Sequence, residues 1–207
     1  MRRFRKSLCS LLLFAALAVM APASASMPVF GRDTVLVWSI RSGEYDGSFV
    51  VRIAEFLPDR LLEWEDEQTQ GTVFMAARDL EGAKAFATTR MFESGINTNK
   101  KGVTTLWLSG RIFRDLKEKK KARCTLDGVP AVLTNKGEEQ IEVEVNRSVI
   151  LLPAIRVADD RSAERWFLDD QDNPLLLKHQ VRQFTQTLTS VTTDRKGTLR
   201  WLRKPRI

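Results

Sequence analysis

Along the first half of the chain apolar residues alternate with polar ones in short runs broken by turn residues. Thr34 to Arg41 (TVLVWSIR) is an apolar, β-branched run, and Ser48 to Leu57 (SFVVRIAEFL) runs back after Gly43 to Gly47 (GEYDG). Two such runs across a short Gly-containing loop predict a hairpin, with the DG step as its turn signal. Pro58-Asp59 turns the chain again, and Arg60 to Glu65 (RLLEWE) and Thr72 to Arg78 (TVFMAAR) continue an antiparallel meander. From Asp79 to Glu93 the alternation stops. Leu80, Ala83, Ala87 and Met91 recur at spacings of three and four, Asp79 can cap, and Gly95 lies just past the end, which predicts a helix.

A polar loop (Gly95 to Gly102) leads to a strand from Val103 to Leu108. Ser109 then caps a short helix running to about Lys121, with Ile112, Phe113 and Leu116 on one face. Strands return from Ala122: ARCTLDG, PAVLT, Gln140 to Val145 (QIEVEV) and Val149 to Val157, separated by DG, NKG and NRS turns. In QIEVEV, Ile141, Val143 and Val145 oppose Glu142 and Glu144, the signature of one dry and one wet face. Arg165 to Leu168 enters the acidic turn Asp169 to Pro174. Beyond Leu175 to Lys178, the threonines from Thr185 to Thr193 favour strand over helix even though Val181, Phe184, Leu188 and Val191 also fit a helical face. About ten strand candidates and two helices predict an α+β fold, a large curved antiparallel sheet with two short helices packed on it.

The N-terminus has a different character. Residues 1–25 carry Arg2, Arg3, Arg5 and Lys6, then an apolar run from Leu8 to Ala21, then Ala23-Ser24-Ala25, the order of a secretory signal peptide cleaved after Ala25. The run is shorter than the roughly 20 residues a membrane span needs. Residues 26–33 then read as a leader, 34–193 as a single domain and 194–207 as a basic tail. Export from a bacterium, to the periplasm or the medium, is the expectation.

This layout changes the meaning of the charge. The chain has 33 Lys and Arg against 26 Asp and Glu, a net +7 that on its face suggests a nucleic-acid binder. Four cations leave with the signal segment, so the mature chain carries 29 against 26, or +3. The tail from Asp194 holds six cations and one anion, so the body between is slightly acidic, at −2. Nucleic acid is therefore not the expected partner. Arg195, Lys196, Arg200, Trp201, Arg203, Lys204 and Arg206 form instead a basic segment with an interfacial aromatic, suited to an anionic envelope surface.

Candidate chemistry is sparse. Cys124 is the one cysteine outside the signal segment, which excludes an internal disulfide and cysteine-rich metal sites in the mature chain. A single histidine, His179, excludes multi-histidine metal centres, and with Cys124 it is the one thiol dyad available. The chain has neither GxGxxG nor GxxxxGK[ST], so no phosphate-cradling loop is expected. Asp169, Asp170, Asp172 and Asn173 can be read as calcium ligands, but Pro174 interrupts the alternation and the composition is that of a tight turn. No metal and no cofactor is expected. Trp38, Trp64, Trp107 and Trp166 each lie in a strand candidate, where they pack a core or line a pocket for an apolar ligand on a curved sheet.

The signal peptide, the long-stranded meander, the short helix after LWLS (Leu106 to Ser109), and WFLDDQDNPLLLK (Trp166 to Lys178) before a Phe-x-x-x-Leu strand together resemble exported half-barrel proteins. The nearest are the DUF3108-type and lipoprotein-carrier (LolA/LolB-like) domains, over residues 34–193. The resemblance implies helices covering a curved sheet and, for the carrier branch alone, a lipid-binding cavity. The leading expectation is an exported, non-enzymatic binding module of the bacterial envelope for a lipid or other apolar molecule. The alternatives are an envelope hydrolase using carboxylates or the Cys124–His179 pair, and an assembly or scaffold protein acting through its basic tail.

Overall fold

The computed structural model describes residues 27–88, 91–92 and 97–193. The signal segment, and the tail with its docking candidates from Arg195 to Arg206, lie outside the described residues.

The meander forms as the alternation predicts. β1 (Val35–Ser42), β2 (Tyr45–Glu55), β3 (Arg60–Glu65) and β4 (Gln70–Met75) pair in antiparallel succession. The first turn is not the DG step. Ser42 faces Tyr45, so Gly43-Glu44 makes the turn with Gly43 at φ +62°, and Gly47 pairs with Ile40 inside β2. The Tyr45 ring lies over Gly47 and fills the space a side chain would need there.

The expected helix from Asp79 to Glu93 is the main difference. α1 (Ala77–Gly82) is six residues long, and the chain leaves it extended at Ala83, with ψ 142°. β5 (Ala85–Phe86) then pairs in parallel with β8 (Lys121–Leu126), and Phe86 packs edge-on to Phe167 at 5.5 Å. Gly82 and the threonines make continuation of the helix costly, and burying Phe86 in the sheet satisfies the same apolar positions. Asp79 does not cap. It lies inside α1, nearly buried, and accepts from Gly102 N at 3.0 Å, while Asp59 Oδ1 accepts from Ala77 N at 2.7 Å.

β6 (Asn97–Thr98) and β7 (Val103–Thr104) follow. The run expected as a strand to Leu108 is cut short, because Leu106 adopts φ 57° and Trp107 makes a single bridge to Leu175. α2 (Gly110–Glu118) starts where Ser109 was expected to cap it. The Ser109 hydroxyl accepts from Ile112 N at 3.2 Å and donates to Ala83 O at 2.7 Å, tying the helix to the end of α1. Ile112, Phe113 and Leu116 are buried, as their shared face predicts.

Beyond β8 come β9 (Val129–Val145), β10 (Ser148–Ala158), β11 (Glu164–Leu168), β12 (Leu176–Val181) and β13 (Phe184–Thr192). Asp127-Gly128 and Asn146-Arg147 are two-residue turns with positive φ at both positions, the geometry that matches strand twist. NKG does not turn the chain. It is a bulge within the 17-residue β9, where Asn135 faces Val157, Gly137 faces Arg156 and Gly137 takes φ +126°.

The result is α+β: one sheet in the order β6-β4-β3-β2-β1-β13-β12-β11-β10-β9-β8-β5-β7, curved into a half-barrel, with two short helices. The end of β9 also pairs in parallel with β13, through Ser190–Glu144 and Val191–Val145, which turns the run β9–β13 back on itself. α2 lies against β8 and β9, and α1 against β7 and α2. Trp38, Trp107, Phe86 and Phe167 are among the largest wholly buried side chains. Among the described residues no helix is long and apolar enough to cross a membrane.

Candidate functional site

All four strand tryptophans belong to one buried core, but they enter different contacts within it. Trp38 and Trp64 share an aromatic cluster through Phe49, at 5.9 and 6.0 Å, which Phe92 joins edge-on at 4.8 Å from Phe49 and 5.6 Å from Trp64. Trp38 is anchored by donation from Nε1 to Leu176 O at 3.1 Å, whereas the buried Nε1 of Trp64 has no acceptor. Trp166 lies elsewhere, between Glu139, which accepts from its Nε1 at 2.7 Å, and Lys178, whose ammonium stands 4.5 Å over its ring.

Trp107 belongs to a third place. Leu108 N donates to Pro174 O at 3.1 Å and Leu176 N to Leu106 O at 2.6 Å, so the acidic turn is laid against the segment that leads into α2. Asn173, buried at the centre of that turn, accepts from Trp107 Nε1 at 2.6 Å. The turn's carboxylates are engaged in building it: Asp170 Oδ1 accepts from Asp172 N at 3.0 Å, and Asp169 accepts from Lys117 Nζ at 2.8 Å. The bond to Asp169 holds the Lys117 ammonium above its ordinary basicity. Among the described residues no group of three or more His, Cys, Asp or Glu side chains is placed to hold a metal ion.

A cleft of about 160 Å³ opens between this turn and the helices. Leu57 and Pro58 come from the loop before β3, Ala77, Leu80 and Glu81 from α1, Leu108 and Gly110 from the start of α2, and Gln171, Asp172 and Pro174 from the turn. Arg60, the first residue of β3, lines it too and is only 4% exposed. Its guanidinium stacks 4.5 Å from the Trp107 ring and 4.8 Å from Phe56. Nη2 reaches Asp172 O at 3.4 Å and Asn173 Oδ1 at 3.5 Å, and the buried Nε has no acceptor. Burial pushes its pKa down to about 9, against a weak opposing pull from Asp170. The cleft thus sets apolar Leu57, Pro58, Leu80, Leu108 and Pro174 beside polar Glu81, Gln171 and Asp172, with one buried cation in its wall.

The Cys124–His179 pair takes a different form from a catalytic dyad. Both side chains are buried, and after burial the strongest charge on each is Arg165, itself paired with Asp159 at 3.1 Å. Burial pushes the Cys124 thiol up to about 11 and the His179 imidazole down to about 4. Both are therefore neutral near pH 7, whereas a nucleophilic pair needs a thiolate beside an imidazolium. Neither ring nitrogen of His179 has a hydrogen-bond partner, so no such bond joins it to the thiol.

Neither a family model, nor a curated protein, nor a solved structure matches this chain. Its site is therefore read from its own geometry. Arg60 and Glu81 were not singled out by the sequence, and Asn173 was noted only as part of the acidic turn. For Arg60 a signal existed: the alternation of RLLEWE sets it on the same face as Leu62 and Trp64, both buried.

Proposed function

We propose that this chain is an exported binding module of the bacterial cell envelope, which holds a small apolar molecule in the cleft beside Arg60 and does not transform it. The observation that carries the reading is a buried arginine without a carboxylate partner among the described residues, in the wall of a cleft where Leu57, Pro58, Leu80, Leu108 and Pro174 stand beside the polar Glu81, Gln171 and Asp172. Binding sites orient a ligand by a few placed polar groups beside apolar surface, and this cleft offers both. The signal-type N-terminus supports an address outside the cytoplasm, and the basic tail would add contact with anionic envelope surfaces.

The test is to recover the protein from envelope fractions, extract it with organic solvent and identify the extract by mass spectrometry. A co-purifying apolar molecule is expected, together with displacement of an apolar fluorescent probe. Protein that is empty in repeated preparations and silent to the probe would overturn the reading.

A further inference from the structure

At neutral pH an arginine is charged and presents a planar fork that matches an oxyanion. Elsewhere in this protein that match is made. Arg165 has Asp159 at 3.1 Å, and Arg52 has Asp33 at 2.9 Å and Glu63 at 2.9 Å. Arg60 is as buried as Arg165, at 4% against 3% exposed, and has no such partner among the described residues. Its Nε has no acceptor, which is true of Arg165 as well, but its two remaining contacts, at 3.4 and 3.5 Å, stand at the limit of a hydrogen bond. The aromatic faces of Trp107 and Phe56 hold the guanidinium plane without occupying its donors.

The surroundings select among anions. Glu81 and Asp172 line the same cleft, and Asp170 acts on Arg60 from the turn. The negative potential of these carboxylates opposes any anion and costs a dianionic phosphate about twice what it costs a monoanion, so a single carboxylate is the anion that Arg60 can best hold here. The start of α2 is already covered, since Glu81 Oε2 lies 2.9 Å from where a side-chain carbon on Gly110 would stand, and Glu81 Oε1 binds Arg114 at 2.7 Å. The vacant donors are therefore those of Arg60, and Leu57, Pro58, Leu80 and Pro174 supply the apolar part of the walls.

We propose that the cleft takes an organic acid, its carboxylate seated on Arg60 and its apolar body against Leu57, Pro58, Leu80 and Pro174. This rests on the reading of the chain as a binding module for an apolar molecule and names the polar end of that ligand. A free short-chain acid and the C-terminus of an apolar peptide share this chemistry.

Titration calorimetry on the purified protein separates the outcomes. The probes are hexanoate, hexan-1-ol, inorganic phosphate, N-acetyl-leucyl-leucine and the C-terminal amide of that dipeptide. Hexanoate is expected to bind about tenfold or more tighter than hexanol, a gap of about 1.4 kcal/mol, with phosphate weaker than hexanoate. Arg60→Met is expected to lower hexanoate affinity to that of hexanol and leave hexanol unchanged. Ala77→Phe, which narrows the cleft from α1 without altering the arginine, should weaken hexanoate by a similar factor. Between the two acids, the tighter binder identifies the source, and the peptide amide should fail in either case. Equal binding of hexanol and hexanoate, phosphate as the tightest probe, or hexanoate affinity that survives Arg60→Met would each overturn the carboxylate seat and leave the binding-module reading standing. Absence of hexanoate and acetyl-dipeptide binding to the wild-type protein overturns it too, and an empty solvent extract would remove the wider reading with it.

Discussion

Replacing Arg60 by methionine should make the protein more stable, although it removes a buried side chain with aromatic neighbours on two sides. Burial lowers the arginine from its ordinary 12.5 to about 9, and at 1.36 kcal/mol per unit this caps the cost of holding the charge inside near 5 kcal/mol. Against this stand the two ring-face contacts, worth roughly 1–2 kcal/mol each, and two long hydrogen bonds that add at most about 1 kcal/mol together. Methionine keeps the unbranched apolar stem against Trp107 and Phe56. It also strands little, since Asn173 Oδ1 retains the Trp107 N–H at 2.6 Å and Asp172 is an exposed residue whose carbonyl water can serve. The remainder is a gain of about 0–3 kcal/mol, in line with replacements of buried charge elsewhere, which are neutral or stabilising.

The pH dependence adds a second signature. Below about pH 9 the arginine is charged in the folded and unfolded chains alike, and the penalty is fully present. Above it the folded chain releases the proton first, the unfolded chain binds more protons, and stability through this group rises with pH. Urea unfolding followed by tryptophan fluorescence should therefore show a higher midpoint for Arg60→Met at pH 7 and a smaller difference from wild type at pH 10. An Arg60→Met variant that loses about 1 kcal/mol or more at pH 7, the loss expected of Arg60→Ala through its cavity, would show that Arg60 braces the turn and refute the uncompensated charge.

The buried histidine should make the fold acid-sensitive. As pH falls, an unfolded chain protonates its imidazole near 6.5 whereas the folded one waits until about 4, so stability is full above 6.5 and drops by up to about 3 kcal/mol across that window. His179→Leu should flatten the decline, and an unchanged acid slope would refute the assignment. Cys124, with its thiol raised to about 11, should react with iodoacetamide at pH 8 about a hundredfold more slowly in the folded protein than in urea, following its thiolate fraction; fast labelling of the folded protein would restore the nucleophile. Deleting 194–207 should leave the urea midpoint unchanged and abolish sedimentation with phosphatidylglycerol vesicles at low salt, and persistent sedimentation would move the docking surface to the body.

The elements that were legible in the sequence are those whose pattern has one solution. Alternation in QIEVEV leaves no choice of face, and the structure buries Val143 while exposing Glu142 and Glu144. Ser109 before an apolar stripe is equally determinate, because its hydroxyl reaches Ile112 N at the geometry a cap requires. The segment after Asp79 has two solutions. Leu80, Ala83, Ala87 and Met91 satisfy a helical stripe, yet Ala83, Ala87 and Met91 are just as well buried when the chain leaves the helix at Gly82 and enters the sheet. What decides between them is pairing with β8, about forty residues on, and no local pattern carries that information. The NKG segment fails for a related reason. Asn and Gly serve bulges and turns alike, and only the partner strand β10, running past both halves of β9, shows which is formed.

Function-bearing residues obey a different logic. Tryptophans attract notice because they are large and rare, but a large apolar ring is also what a core most needs, and Trp38 and Trp64 are spent in that way. The informative residue is the one that the local pattern has no use for. On the dry face of RLLEWE, Leu62 and Trp64 lower the free energy of folding simply by being there, whereas Arg60 raises it unless something outside the strand compensates. Arg165 breaks the same rule on β11, and Asp159 compensates it within the chain. At Arg60 no compensating carboxylate pairs with the guanidinium among the described residues, and a cleft lies beside it. A charge out of pattern with an internal partner is architecture; one without such a partner, in the wall of a cleft, is the stronger ground for expecting a ligand.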